Sequence, residues 1–242
     1  MKIIALEAGS DAAIAALENE DVQAVMRFED ARSVSRVLPT AFDEVLQSAG
    51  WERGDVEALA VGVGPGSWTS LRIALSTMKT WAQSCNLPLA GVPSFDAYAV
   101  AAWSALPDEF TSHDALLLVV GPSRANEIYA KLFLCRDDGI SVAQAERIAS
   151  PQETLDTAAV EAMSHDLDTP LIVTGAAADQ IVAAAQAHGD DSLVAVTLAP
   201  EAVAAAIARL GAGQIEAGEG DPLAVEPLYL APSAAERNLG MK

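Results

Sequence analysis

The sequence predicts an α/β fold built as two lobes of related plan. Short apolar runs alternate with amphipathic helical runs through most of the 242 residues. The order of three strands followed by helices interleaved with strands occurs once in each half. A glycine-rich corner, Val61-Gly62-Val63-Gly64-Pro65-Gly66-Ser67-Trp68-Thr69-Ser70-Leu71-Arg72-Ile73, joins a strand to a helix in the first half. No internal repeat is visible at the residue level, so the two-lobe reading rests on the order of elements.

The first lobe is expected over 1–106. Lys2–Glu7 reads as a buried strand and Gly9-Ser10-Asp11 as a turn. Strands follow over 12–17 and 22–28, linked as a hairpin through Asn19-Glu20-Asp21. A helix over 34–49 gathers Val37, Leu38, Ala41, Phe42, Val45 and Leu46 on one face, tolerates Pro39 in its first turns and stops at Gly50. Next come strand 58–63, helix 69–85, strand 88–92 and helix 94–105. The second lobe is expected over 107–242. A polar link at 107–114 leads to strands 115–120, 126–134 and 140–148, with Asp137-Asp138-Gly139 as a hairpin turn. Helices 151–163, 177–188 and 200–210 follow, with a strand at 171–174. Residues 211–221 read as mobile, and the last dozen residues as frayed.

Composition narrows the function. The chain carries 34 acidic against 14 basic residues, a formal charge of -20. Neither a basic tail nor a basic helix stands out, so a direct grip on a phosphate backbone is not expected. The apolar start is too short for a signal-peptide core, and no unbroken apolar run reaches the roughly eighteen residues of a membrane span. The expected location is the cytoplasm. Cys85 and Cys135 lack a paired motif and read as small core residues. His113, His165 and His188 share no helical metal-ligand spacing and read as surface residues. No nucleophile elbow is present, and no histidine near Ser67 would activate it. The sequence therefore calls for no metal, no cofactor and no catalytic residue.

The corner itself allows two readings. Gly64-Pro65-Gly66 enforces a tight turn, and Ser67 or Thr69 can cap the helix. Backbone N–H groups collecting there could hold an anion, although neither the dinucleotide fingerprint nor the phosphate-loop pattern is present. Otherwise it is a close-packed strand-to-helix corner. The helix beyond it places Leu71, Leu75, Met78 and Ala82 on one face, with Ile73, Thr77, Thr80 and Trp81 elsewhere. Small Ala74, Ser76 and Thr77 would let another helix come close, and Trp68 and Trp81 are of the type enriched at interfaces. Arg72, in the first helical turn, calls for a counter-charge from Glu7 or from a partner.

The run Gly64-Pro65-Gly66-Ser67-Trp68-Thr69-Ser70-Leu71-Arg72 resembles the Gly-Pro-Gly-Ser-Phe-Thr-Gly-Leu-Arg signature of the TsaB (YeaZ) family. Trp68 stands for Phe and Ser70 for Gly. The likeness continues through Asn86-Leu87-Pro88-Leu89-Ala90-Gly91-Val92-Pro93-Ser94, and Leu228-Tyr229-Leu230 resembles the family's closing segment. The resemblance implies an actin-like, ribonuclease-H-like fold of the sugar kinase–Hsp70–actin superfamily. It also implies a non-catalytic subunit that supports TsaD in threonylcarbamoyl transfer to the tRNA adenosine next to the anticodon. A TsaD-like subunit and a TsaE-like ATPase would be partners, with tRNA met only indirectly; a homodimer is compatible with the sequence. Partner contacts would fall on Gly64, Pro65, Gly66, Ser67, Trp68, Leu71, Arg72, Ala74, Leu75 and Met78. The alternative is a small ATPase or kinase of that superfamily with phosphate on Gly64–Ser67; nucleotide would then involve Glu7, Ser10 and Gly66. A peptidase is a third reading, opposed by the missing histidine pair and activated nucleophile.

Three departures bear on chemistry. Glu7-Ala8-Gly9 replaces an Asp-Thr-Ser found in many relatives, Ser33 replaces a His, and Pro122 replaces an Asp while Arg124, Glu127 and Tyr129 remain. Glu127 and Tyr129 are expected on one face of a strand.

Overall fold

The computed structural model describes residues 1–10, 12–28 and 34–230, excluding the side chains of residues 34 and 35. Asp11, Ser33 and the last dozen residues, on which three of the expectations fall, lie outside the described residues. Contacts divide the chain into two units. Of the described residues, the first holds those within 1–97 and 199–229, the second 98–198 and 230.

In the first unit, β1 (Lys2–Glu7), β2 (Ala13–Glu18), β3 (Asp21–Arg27), β4 (Ala58–Gly62) and β5 (Leu89–Val92) form one sheet in the order β3-β2-β1-β4-β5. β1 to β3 are antiparallel, whereas β4 and β5 run parallel to β1. Asn19 and Glu20 turn the hairpin with positive φ angles of 50° and 75°, the geometry that suits a right-twisted pair. Both faces are covered over β1, β2, β4 and β5, which is why those strands are largely apolar, whereas the edge strand β3 is mostly exposed. On one face α1 (Val34–Ala49) and α2 (Trp68–Cys85) bury Leu38, Phe42, Val45, Ala74, Leu75 and Met78 against Ile4, Leu6, Leu59 and Val61.

The other face carries α7 (Pro200–Glu216), which crosses β2, β1, β4 and β5. This corrects two expectations. The helix belongs to the first unit rather than to a second lobe running on to 242, and it extends through residues expected to be mobile. Its buried face of Ala204, Ala208 and Gly211 meets a sheet face equally rich in alanine, so helix and sheet approach closely. A Cβ on Gly211 would lie 2.5 Å from Ala60 Cβ. A glycine that suggests mobility in sequence here permits contact.

The second unit repeats the plan. Its strands are β6 (Ala115–Pro122), β7 (Ile128–Arg136), β8 (Gly139–Ala149), β9 (Ile172–Thr174) and β10 (Val194–Val196), in the order β10-β9-β6-β7-β8. Three antiparallel strands again lead, and β9 and β10 again lie parallel to the first of them. α5 (Pro151–Ser164) and α6 (Ala178–Ala187) cover one face through Leu155, Ala158 and Ile181. Ser150 and Glu153 cap α5 reciprocally, and those hydrogen bonds hold the Glu153 carboxyl below its ordinary range. The boundary between units falls within α3 (Ser94–Ala105), and the link at 107–114 contains the short α4 (Asp108–Thr111). The short β10 was not legible in sequence. Glu127 precedes β7 and pairs with Arg124 at 3.0 Å in the connecting turn, so it does not share a strand face with Tyr129.

Of the two cysteines, Cys135 is buried as expected, and burial pushes its thiol up to about 12 from an ordinary 9.0. Cys85 is a correction: it ends α2 on the exposed side, beside Ser84. One thiol of the native chain should therefore react rapidly with a disulfide reagent at neutral pH, and the other only on unfolding. Because the unfolded Cys135 thiol ionises first, its contribution to stability is intact below pH 9 and declines as pH rises toward the folded value. Thiol counting with and without denaturant checks the first point.

Candidate functional site

The parallel order of β1, β4 and β5 brings their three C-terminal ends together. Glu7 ends β1, Gly62 ends β4, and Ser94 follows β5. The Glu7 side chain, 1% exposed, lies across the space that Gly62 leaves; a Cβ there would overlap its carboxylate. One carboxylate oxygen accepts the Gly9 N–H, and the other accepts the Ser94 hydroxyl at 2.7 Å. Ser94 Oγ in turn accepts the Gly64 N–H at 3.2 Å, while the Ser94 N–H donates to the Gly64 carbonyl at 2.9 Å.

The turn after β1 is locked to the corner from the other side. The Ser67 N–H donates to the Gly9 carbonyl at 2.6 Å, and Gly66 lies flat on the Gly9 backbone. Ser67 caps α2, accepting from the Ser70 N–H. The N–H groups of Gly9, Gly64, Ser67 and Ser70 are thus all directed to acceptors within the chain. Those four donors are therefore not available to a phosphate, which would need them pointing outward. The Glu7 carboxylate, which the ATPase or kinase reading would turn to a nucleotide, braces this turn.

Around the start of α2, the Trp68 ring stacks on Tyr229 with centroids 3.8 Å apart. The Arg72 guanidinium lies 4.5 Å from the Trp68 centroid, and its Nε donates to the Tyr229 hydroxyl at 3.2 Å. Cation–π attraction and this bond replace the counter-charge expected from Glu7, whose oxygens are turned to Gly9 and Ser94.

A second feature lies between α1 and α2. An open groove of about 560 Å³ is lined by Pro39, Phe42, Arg53, Ser76, Thr77, Thr80, Trp81, Ser84 and Cys85. Phe42 and Trp81 meet edge to face at 4.9 Å and form its apolar floor. The Thr77 and Thr80 hydroxyls donate to the Ile73 and Ser76 carbonyls of their own helix. Their hydrogen-bonding capacity is therefore partly met within α2, which lowers the cost of removing this face from water.

Residues 29–211 match the family described as TsaD: tRNA N6-adenosine threonylcarbamoyltransferase. The tRNA threonylcarbamoyladenosine biosynthesis protein TsaB of Escherichia coli (strain K12) is 34% identical over 104 residues, 43% of this chain and 45% of that protein. The Haemophilus influenzae protein of the same name is 29% identical over 131 residues, 53% of this chain and 52% of that one. The chain belongs to the TsaB (YeaZ) group of the TsaD family. It spans about half the length of these curated TsaB relatives. The solved structure of YeaZ from Pseudomonas aeruginosa aligns with a TM-score of 0.72 at 19% identity, over 95% of this chain and 99% of that one, which shows that the fold is shared.

Within this TsaB-type fold the sequence-nominated residues separate into groups. Glu7, Gly64, Gly66 and Ser67 come together at the corner, with Pro65 between the glycines; Ser10 lies half-buried one residue beyond Gly9. Trp68 and Arg72 form the cluster with Tyr229. Leu71, Ala74, Leu75 and Met78 do not offer a partner surface: they are buried in the unit's own core. The sheet needs an apolar cover, and the strongest apolar stripe of α2 supplies it. The exposed face carries Ser76, Thr80 and Ser84, with Thr77 and Trp81 half-buried beside them. Ser94 was missed as a member of the corner. Its signal was its place just after the parallel strand neighbouring β4. Among the described residues no group of three His, Cys, Asp or Glu side chains could hold a metal, and no helix is long and apolar enough to cross a membrane.

Proposed function

We propose that this chain is a non-catalytic subunit that binds a TsaD-like protein and supports threonylcarbamoyl transfer to the tRNA adenosine next to the anticodon. The carrying observation is the self-closed corner. In an ATPase or kinase reading, Glu7, Ser10 and Gly66 would face a nucleotide, but Glu7 braces Gly9 and Ser94, and Gly66 is packed on Gly9. The α1–α2 groove supports the partner half of the reading. It presents small residues and one aromatic pair on two neighbouring helices, the form that a second helix pair can meet. A TsaD-like protein of related plan would offer such a pair, giving a pseudo-symmetric heterodimer. A TsaE-like ATPase would join that pair, and tRNA would be gripped by the partners rather than by a chain with 34 acids and 14 bases.

The experiment is co-purification with a TsaD-like subunit from the same cell, followed by titration of Ser76→Trp. Ser76 is exposed on the groove wall, so the variant should keep its melting temperature. Blocking a close helix contact costs about 1–3 kcal/mol, so affinity should fall roughly ten- to a hundredfold. Wild-type affinity in a folded Ser76→Trp chain would remove this groove as the contact surface.

A further inference from the structure

We propose that segment 220–229 is a strap whose closure on the glycine corner fixes the start of α2, and that it opens while the rest of the first unit stays folded. After α7 the chain turns at Gly218, with φ 91°, and passes the edge of β5, where the Gly220 carbonyl accepts the Leu89 N–H at 3.0 Å. Asp221 then organises a local turn by accepting the N–H groups of Leu223 and Ala224. From there every anchor lies on β5, on the corner or on the first turn of α2. Val225 fills the slot beside Gly91, where a Cβ would lie 2.8 Å from Val225 Cγ1. The Leu228 N–H donates to the Val63 carbonyl at 2.8 Å. Tyr229 holds Trp68 by stacking and Arg72 through its hydroxyl.

This grip is local and shallow. Within segment 220–229 Val225 alone is buried, while Leu223 is 70% and Tyr229 39% exposed. By contrast α7, which precedes it, and β4, which leads into the corner, are core. A segment with one buried side chain and few backbone bonds opens at a small fraction of the cost of global unfolding. Opening takes from Trp68 its stacking partner and from Arg72 its acceptor, both in the first turn of α2. The groove residues Ser76 to Cys85 lie farther along the same helix. Strap closure therefore favours the docking-competent orientation of α2, a coupling that rests on the functional reading above.

Hydrogen exchange on the full chain tests the strap. Amides of 220–229 should exchange well before those of β4 and α7. Tyr229→Ala and Val225→Ser should raise exchange at least tenfold both in the strap and at amides 70–74, leaving α7 and the second unit unchanged; Leu223→Ala should do neither. Strap amides that exchange in step with β4 and α7, or a rise confined to 220–229, would overturn the proposal. In titrations with the TsaD-like subunit, Tyr229→Ala should weaken binding about three- to tenfold. An unchanged affinity, with wild type binding normally, would overturn the coupling. Failure of wild type to bind at all would instead count against the functional reading, and the exchange arm would still decide the strap.

Discussion

Gly66→Val will unfold or severely loosen the first unit, whereas Gly54→Ala will leave it intact. A Cβ at position 66 would run into the carbonyl oxygen, carbonyl carbon and Cα of Gly9, all backbone atoms of a turn tied to Glu7 and Ser67. Flexible side chains can step aside; a backbone held on both sides cannot. The cost should reach or exceed the upper end of ordinary overpacking, about 3 kcal/mol, a large share of a typical folding stability of about 5–15 kcal/mol. Gly54 has open space where its Cβ would be, and its backbone is not left-handed. Urea melts followed through the first unit's tryptophans check both.

The second large effect is expected at Glu7. Glu7→Ala removes the acceptor for the Gly9 N–H and for the Ser94 hydroxyl, both in buried positions. Each donor left without a partner costs about 1–3 kcal/mol, so the variant should lose roughly 2–6 kcal/mol. Glu7→Gln keeps the length and one acceptor oxygen but sets an NH₂ against a donor, and should lose an intermediate amount. If Glu7 instead served a bound nucleotide, both variants would keep wild-type stability and change only a nucleotide-dependent activity. Melts of the three proteins, with and without ATP, separate these outcomes.

Much of the fold was legible because its signals are local. Strand periodicity, the Asn19-Glu20-Asp21 and Asp137-Asp138-Gly139 turns, and the stop of α1 at Gly50 depend on neighbours in sequence. What was not legible depends on neighbours in space. Gly211 reads as a mobile residue until Ala60 is placed opposite it. Cys85 reads as core until the end of α2 is seen to turn it outward. For α2, sequence showed apolar character on more than one side but not which side the sheet would claim. Leu71, Ala74, Leu75 and Met78 went inward, leaving Ser76, Thr77, Thr80 and Trp81 to line the groove. At the corner the glycine signature was plain, and its reason was not. The closure needs Glu7, Gly9 and Ser94, which are separated by as many as 87 residues in sequence.

In the proposed role this chain supports a TsaD-like subunit and performs no step itself. The direct measurement is the rate of threonylcarbamoyladenosine formation on tRNA by a TsaD-like subunit and a TsaE-like ATPase, with this chain absent, present, and present as Ser76→Trp. Formation should require the wild-type chain and fall in proportion to the lost affinity of the variant. Equal rates with and without the chain, or a product formed by the chain alone, would contradict it.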